Sequence, residues 1–136
     1  MRLVLDTAAV PVLMDGGRDA RLTVRRAMEA AHRLRRDVTV ATLTLAELYR
    51  GAGRNQALDS LLAREHDAFL LRDTDSQLAR LVGSVLAQAS MGSAHIVDAH
   101  AVALAVEDGG GVVLTADHAD LRRLAAPYRT IVIQGI

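Results

Sequence analysis

Hydrophobic positions along this chain come in two alternating textures: short runs that are apolar throughout, and longer stretches in which apolar residues recur every three or four positions. The short runs, Leu3 to Leu5, Val38 to Ala41, Phe69 to Leu71, Val112 to Leu114 and Thr130 to Ile133, predict strands. Uniform apolarity over so few residues suits strands buried on both faces of a parallel sheet. The longer stretches predict helices over about Ala8 to Met14, Asp19 to Arg35, Leu45 to Arg50 with a continuation to Ala63, Asp75 to Ala89, Ile96 to Val106, and Leu121 to Ala125. Strand and helix alternate, so the expected fold class is α/β, an αβα sandwich of three layers with a mainly parallel central sheet. The triple glycine Gly109-Gly110-Gly111 follows a helix and precedes a strand. A phosphate-cradling loop needs the reverse order, so these glycines read as a helix C-terminus.

With 136 residues the chain is expected to form a single domain, 1–136, around one core. Its apolar share of 51% and charged share of 24% exclude a disordered tail. Cysteine is absent, which removes disulfides, thiolate zinc sites and cysteine nucleophiles. All 16 basic residues are Arg. Without lysine there is no P-loop lysine, no Schiff base and no lysine general base. Only Tyr49, Phe69 and Tyr128 are aromatic, too few for a base-stacking platform, so any nucleic-acid contact would run through Arg and backbone amides. The segment Arg18 to Arg36 holds seven Arg against Asp19 and Glu29, and reads as a solvated helix face or as an attractor of polyanions. No apolar stretch reaches the roughly 20 residues of a membrane span, and Asp6 interrupts what would be a signal-peptide core. A chain retained in the cytoplasm is therefore expected.

The acidic residues give this scaffold its chemistry. In open α/β sheets, ligands bind beyond the carboxyl ends of the strands. Asp6 directly follows the first strand and Asp117 follows the fourth. Glu47 is expected in the first turn of the helix after the second strand, back near the same edge. Asp98 is expected near the start of a helix, on its apolar, core-facing stripe. Four converging carboxylates repel, since two like charges about 4 Å apart cost about 4 kcal/mol at an effective dielectric near 20. A divalent cation reverses that sign, and oxygen-only ligation selects Mg2+ or Mn2+ over Zn2+. Three of the four acids also have an ordinary reading, whereas neither a cap nor a solvated face suits Asp98. Thr44-Leu45-Ala46-Glu47 fits a capping box, Asp117-His118-Ala119-Asp120 fits an N-cap with an acidic third residue, and Asp6 fits a turn. His95, His100 and His118 lack the pairing of a zinc helix and read as ordinary polar residues.

The blocks Leu3-Val4-Leu5-Asp6-Thr7, Thr44-Leu45-Ala46-Glu47-Leu48-Tyr49-Arg50-Gly51, Asp98-Ala99-His100-Ala101-Val102-Ala103-Leu104-Ala105 and Leu114-Thr115-Ala116-Asp117-His118-Ala119-Asp120-Leu121 occur in that order along nearly the whole chain. As an ordered set they resemble the PIN-domain ribonucleases, particularly the VapC-type toxins of bacterial toxin-antitoxin pairs. The resemblance implies an acidic pocket that holds Mg2+ or Mn2+ and hydrolyses RNA. It carries Asp6, Glu47, Asp98 and Asp117 over as the catalytic and metal-binding quartet, Thr7 and Thr115 as hydroxyl neighbours, and Asp120 as a further acid. It also implies an RNA substrate, a cognate antitoxin and a homodimer. The chain departs from the family where an aromatic often follows the last acid, Leu121 here, and where basic residues often separate the acids, His118 and Ala119 here.

Two other phosphoryl enzymes place Asp after a first strand. A receiver domain needs a lysine that this chain lacks, and a haloacid-type phosphatase needs a second Asp where Ala8 stands. The function that the resemblance implies is a Mg2+/Mn2+-dependent endoribonuclease. Its alternative is a catalytically inactive PIN-like module that binds RNA or protein.

Overall fold

The computed structural model describes residues 1–136. Five strands, β1 (Arg2–Leu5), β2 (Asp37–Ala41), β3 (Leu70–Arg72), β4 (Gly111–Thr115) and β5 (Ile131–Gly135), form one sheet in the order β3-β2-β1-β4-β5. Every neighbouring pair is parallel, so the expected mainly parallel sheet is parallel throughout. The chain winds outward from β1 to β3 and then returns to β4 on the other side of β1. Seven α-helices fill the connections: α1 (Ala9–Asp15), α2 (Arg18–Arg33), α3 (Thr42–Leu48), α4 (Ala52–Arg64), α5 (Ser76–Gln88), α6 (Ile96–Glu107) and α7 (Ala119–Ala125). A single 3-10 turn, Ser93–His95, leads into α6.

Alternation along β1 builds the three layers. Leu3 and Leu5 join a core with α1 to α4, through residues such as Val10, Val24, Leu45, Leu58 and Leu61. Val4 points the other way, into a core with α5, α6 and α7. Successive strand residues face opposite sides, so a strand buried on both faces must be apolar at every position. Each fully buried Leu or Val contributes about 1.5–3 kcal/mol relative to exposure, and both cores rest on the same sheet.

α6 is the most enclosed helix, with every residue from Ala99 to Ala105 buried. Four of those seven are alanines, which let the helix lie close to the sheet and to α5. Its C-terminus closes as expected, with Gly109 N–H donating to Val106 O at 3.1 Å and Gly110 N–H to Ala105 O at 2.8 Å. Gly111 then pairs with Arg2 so tightly that a Cβ there would stand 2.1 Å from Arg2 O, which makes glycine obligatory for the β1–β4 junction.

Two expectations need correction. The helix expected over Leu45 to Arg50 begins earlier, at Thr42, and its continuation to Ala63 is the separate helix α4, because Gly51 takes a φ of +124° between them. The third strand starts after Phe69, which packs in the core. Leu70 and Leu71 are 54% and 46% exposed because β3 is an edge strand with one open side. On α2 the buried face is Val24, Met28 and Ala31, so the arginines of that segment lie toward solvent, with Arg25 paired to Glu65. No single helix is long and apolar enough to cross a membrane.

Candidate active site

β1 and β4 are adjacent, and between them the winding of the sheet reverses. That reversal opens a crevice at the carboxyl ends of the two strands, the place where doubly wound sheets bind ligands. A cleft of about 260 Å3 lies there, lined by Asp6, Thr7, Glu47, Asp98, Asp117 and Asp120, with Ala8, Ala94 and Val97. The structure therefore brings all four sequence-predicted acids together, and Asp120 and Thr7 with them. No arginine lines the cleft.

Asp6 is 4% exposed. Its Oδ1 accepts the N–H groups of Ala8 and Ala9, each at 2.9 Å, and so fixes the turn into α1. The turn reading and the site reading coexist here, because the turn uses one oxygen only. Burial raises the Asp6 pKa above the usual carboxylate range, and Asp117 adds repulsion. Hydrogen bonding to Thr115 and to the Ala9 and Ala8 amides works against that rise.

Glu47 stands elsewhere than expected along its helix. α3 begins at Thr42, with Ala41 at its N-cap and no side chain capping it, so Glu47 lies in the second turn. Thr44 is buried inside the helix, and the capping box is not formed. Glu47 is exposed, and its one ion pair, with Arg50 at 3.7 Å, is of the surface kind worth about 0–1 kcal/mol. The N-cap reading of Asp117 fails too. α7 starts at Ala119 behind His118, with no side-chain cap. Asp117 is instead pinned by Thr115, whose Oγ1 accepts its N–H at 3.0 Å and donates to its carbonyl at 2.9 Å.

Asp98 sits in the first turn of α6. That helix is apolar on every face, so an apolar stripe selects no position on it. Asp98 is half-buried and faces the cleft. Its pKa is raised by burial first, then by Asp6, Asp120 and Asp117, with His95 alone opposing.

His95 is the residue that sequence reasoning passed over. Ligand atoms of His95, Asp98 and Asp120 all lie within 4.8 Å of one another. Its place three residues before Asp98, on one helical end, was the available signal. By contrast His100 is buried and occupied, between Ile96 O at 2.7 Å and Thr74 Oγ1 at 2.9 Å.

The donor set fits a divalent cation: hard oxygens converge, two of them are held in unfavourable surroundings, and no cationic side chain lines the cleft to neutralise them. A parallel sheet with an acidic crevice at its switch point is an α/β frame built to hold a ligand. The PIN domain family matches residues 3–127, and the chain belongs to that family. Its fold is similar to a chain of VapBC2 from Rickettsia felis bound to a DNA fragment from the promoter, at 16% identity and a TM-score of 0.68, covering 100% of this chain and 99% of that one. It is similar to DNA-bound VapBC from Salmonella typhimurium, at 18% identity and TM-score 0.63, covering 99% and 98%. PAE2754 from Pyrobaculum aerophilum is a further structural neighbour, at 18% identity and TM-score 0.55, covering 98% and 90%. No curated protein sequence matches the chain.

Proposed function

We propose that this chain is a divalent-metal-dependent endoribonuclease, the toxin of a toxin-antitoxin pair, acting as one domain over residues 1–136. The observation that carries the reading is the cleft itself, in which four acids from four separate elements meet at the sheet's switch point with no arginine among them. Membership of the PIN-domain family supports nuclease chemistry, and the likeness to VapBC assemblies supports an antitoxin partner.

In this reading Asp6, Glu47, Asp98 and Asp117 hold Mg2+ or Mn2+. A divalent ion there supplies positive charge for a phosphodiester and lowers the pKa of a water. The chain's own groups do the rest. Asp6 is fixed by the Ala8 and Ala9 amides, so its carboxylate meets the site already oriented. Thr115 holds the Asp117 turn. Asp98 or Asp117 accepts the proton of the attacking water, and Asp98 is the better base of the two because burial and the neighbouring acids raise its pKa. Attack by water leaves a 5′-phosphate and a 3′-hydroxyl. RNA as substrate, homodimerisation and a cytoplasmic location belong to the same proposal.

The test is cleavage of RNA by the purified chain with and without Mn2+, beside Glu47→Gln and Asp98→Asn. Mn2+-dependent cleavage that disappears in both variants is the expected result. Cleavage by both at the unmodified rate contradicts the assignment, and RNA binding without cleavage by the wild-type chain favours a binding module instead.

A further inference from the structure

Beside the cleft, against two of the acids that line it, Asp98 and Asp120, stands an imidazole. His95 closes the 3-10 turn just before α6, and Asp98 follows within the first turn of that helix. α7 brings Asp120 against the pair from its own first turn. Three elements of backbone thus present one nitrogen and two carboxylates to a common volume, with their ligand atoms all within 4.8 Å of each other.

The spacing distinguishes coordination from hydrogen bonding. His95 Nδ1 lies 3.5 Å from Asp120 Oδ2. An N–H···O hydrogen bond closes to about 2.7–3.2 Å, so this pair does not satisfy itself. Two donors each about 2.1 Å from one ion stand roughly 3.0 Å apart when cis and roughly 4.2 Å apart when trans, a range that contains the observed separation. A second observation comes from comparing the two imidazoles of this region. Both ring nitrogens of His100 are engaged within the protein, whereas His95 has Asp120 as its polar neighbour and is otherwise free to bind. Asp98, the third member, has only repulsive acids and His95 acting on its half-buried charge.

We propose that His95 is a nitrogen ligand of the metal centre, and that with Asp98 and Asp120 it makes the rim selective for Mn2+ over Mg2+. The proposal rests on the metal-dependent reading above and refines it. Both ions favour oxygen donors, but Mn2+ stands at the hard end of the first-row transition series and accepts one imidazole nitrogen among carboxylates, whereas Mg2+ demands oxygen and keeps its waters. Asp98 is shared between the all-oxygen floor and this mixed rim, so one residue outside the acidic quartet sets which ion the centre prefers.

Pulsed EPR of the Mn2+-loaded full chain reads the proposal directly, and calorimetric titration with Mn2+ and Mg2+ separately reads its consequence. Nitrogen-14 modulation from a bound imidazole is expected in the wild-type chain and should disappear in His95→Gln. That variant should lose about 10- to 100-fold in Mn2+ affinity, the range by which groups tuning metal sites act, while Mg2+ affinity moves by less than about 2-fold. His95→Asp, which supplies an oxygen donor in place of the nitrogen, should strengthen Mg2+ binding without the nitrogen signal. Mn2+ binding with no nitrogen coupling, or equal Mn2+ affinity in wild type and His95→Gln, overturns this proposal and leaves the metal-dependent reading standing. Absence of any Mn2+ or Mg2+ binding by the wild-type chain overturns both.

Discussion

The two ends of α6 carry carboxylates in opposite electrical surroundings. At the C-terminal end, Glu107 accepts from Arg72 Nε at 3.1 Å and Nη2 at 3.2 Å, and from Arg2 Nη1 at 2.5 Å. Burial alone would raise its pKa, but hydrogen bonds from Arg72 and Arg2, with their charges, hold it below the usual carboxylate range. At the N-terminal end, burial raises Asp98 and neighbouring acids raise it further. The helix dipole predicts the reverse ranking, since it favours negative charge at the N-terminus by about 0.3–1 kcal/mol. Charge-assisted hydrogen bonds are worth about 1.5–3 kcal/mol each, so the local partners decide. The molecule neutralises the carboxylate that holds structure together and leaves the one at the cleft without an arginine partner.

Neutralising each end in turn should separate these roles. Asp98→Asn is expected to lower Mn2+-dependent RNA cleavage by about 100-fold or more while the chain stays folded, as removal of charge from a metal site does. Glu107→Gln should leave cleavage within about 2-fold. The variants exchange places in stability. Glu107→Gln leaves two part-buried guanidinium groups short of a partner and should cost about 1–3 kcal/mol in urea denaturation. Asp98→Asn removes repulsion and should raise the melting temperature of metal-free protein.

Acidity should show the same contrast. The folded pKa of Glu107 lies below its ordinary 4.5, so its stabilisation is present above that value and is lost as pH falls through the folded pKa. Asp6 and Asp98 have folded pKa values above their ordinary 3.8, so their protonated forms favour folding at low pH and that advantage disappears as pH rises through the raised values. In metal-free protein, the gain from Asp98→Asn should therefore grow with rising pH, and the deficit from Glu107→Gln should grow with it. Melting curves from pH 3 upward check both signs. A smaller effect is expected on α2 and the turn after it. Neutralising Arg25, Arg26, Arg33, Arg35 and Arg36 should flatten the salt dependence of RNA binding by about 0.7 in log-log slope for each phosphate no longer neutralised, with metal affinity unchanged.

Much of the fold is legible in the sequence because β1, β2 and β4 are buried on both faces and must be apolar at nearly every position. The edge strand β3 is displaced by one residue from its expected start, since Phe69 is apolar for the core and not for the sheet. The α3–α4 break is marked in the sequence by Gly51, whose φ of +124° suits glycine, and not by the hydrophobic pattern. At the site, Asp6 and Asp117 are readable from strand ends alone. Asp98 is singled out by a stripe that does not exist, and its place in the cleft follows from the start of α6. Glu47 reaches the cleft from the second turn of α3 and not the first. For His95 the sequence carries half of the signal, its spacing to Asp98; Asp120 belongs to another helix, and only the packing of α7 on α6 brings it to the pair.

The central claim is that the cleft acids share a divalent ion, and its most direct measurement is the melting temperature of wild-type and Asp98→Asn protein with and without millimolar Mn2+. A ligand at 100 times its Kd stabilises the folded state by about 2.7 kcal/mol. Mn2+ should raise the wild-type melting temperature clearly, while Asp98→Asn should start higher without metal and gain little from it. A wild-type curve unmoved by Mn2+, or an equal rise in both proteins, would contradict the account.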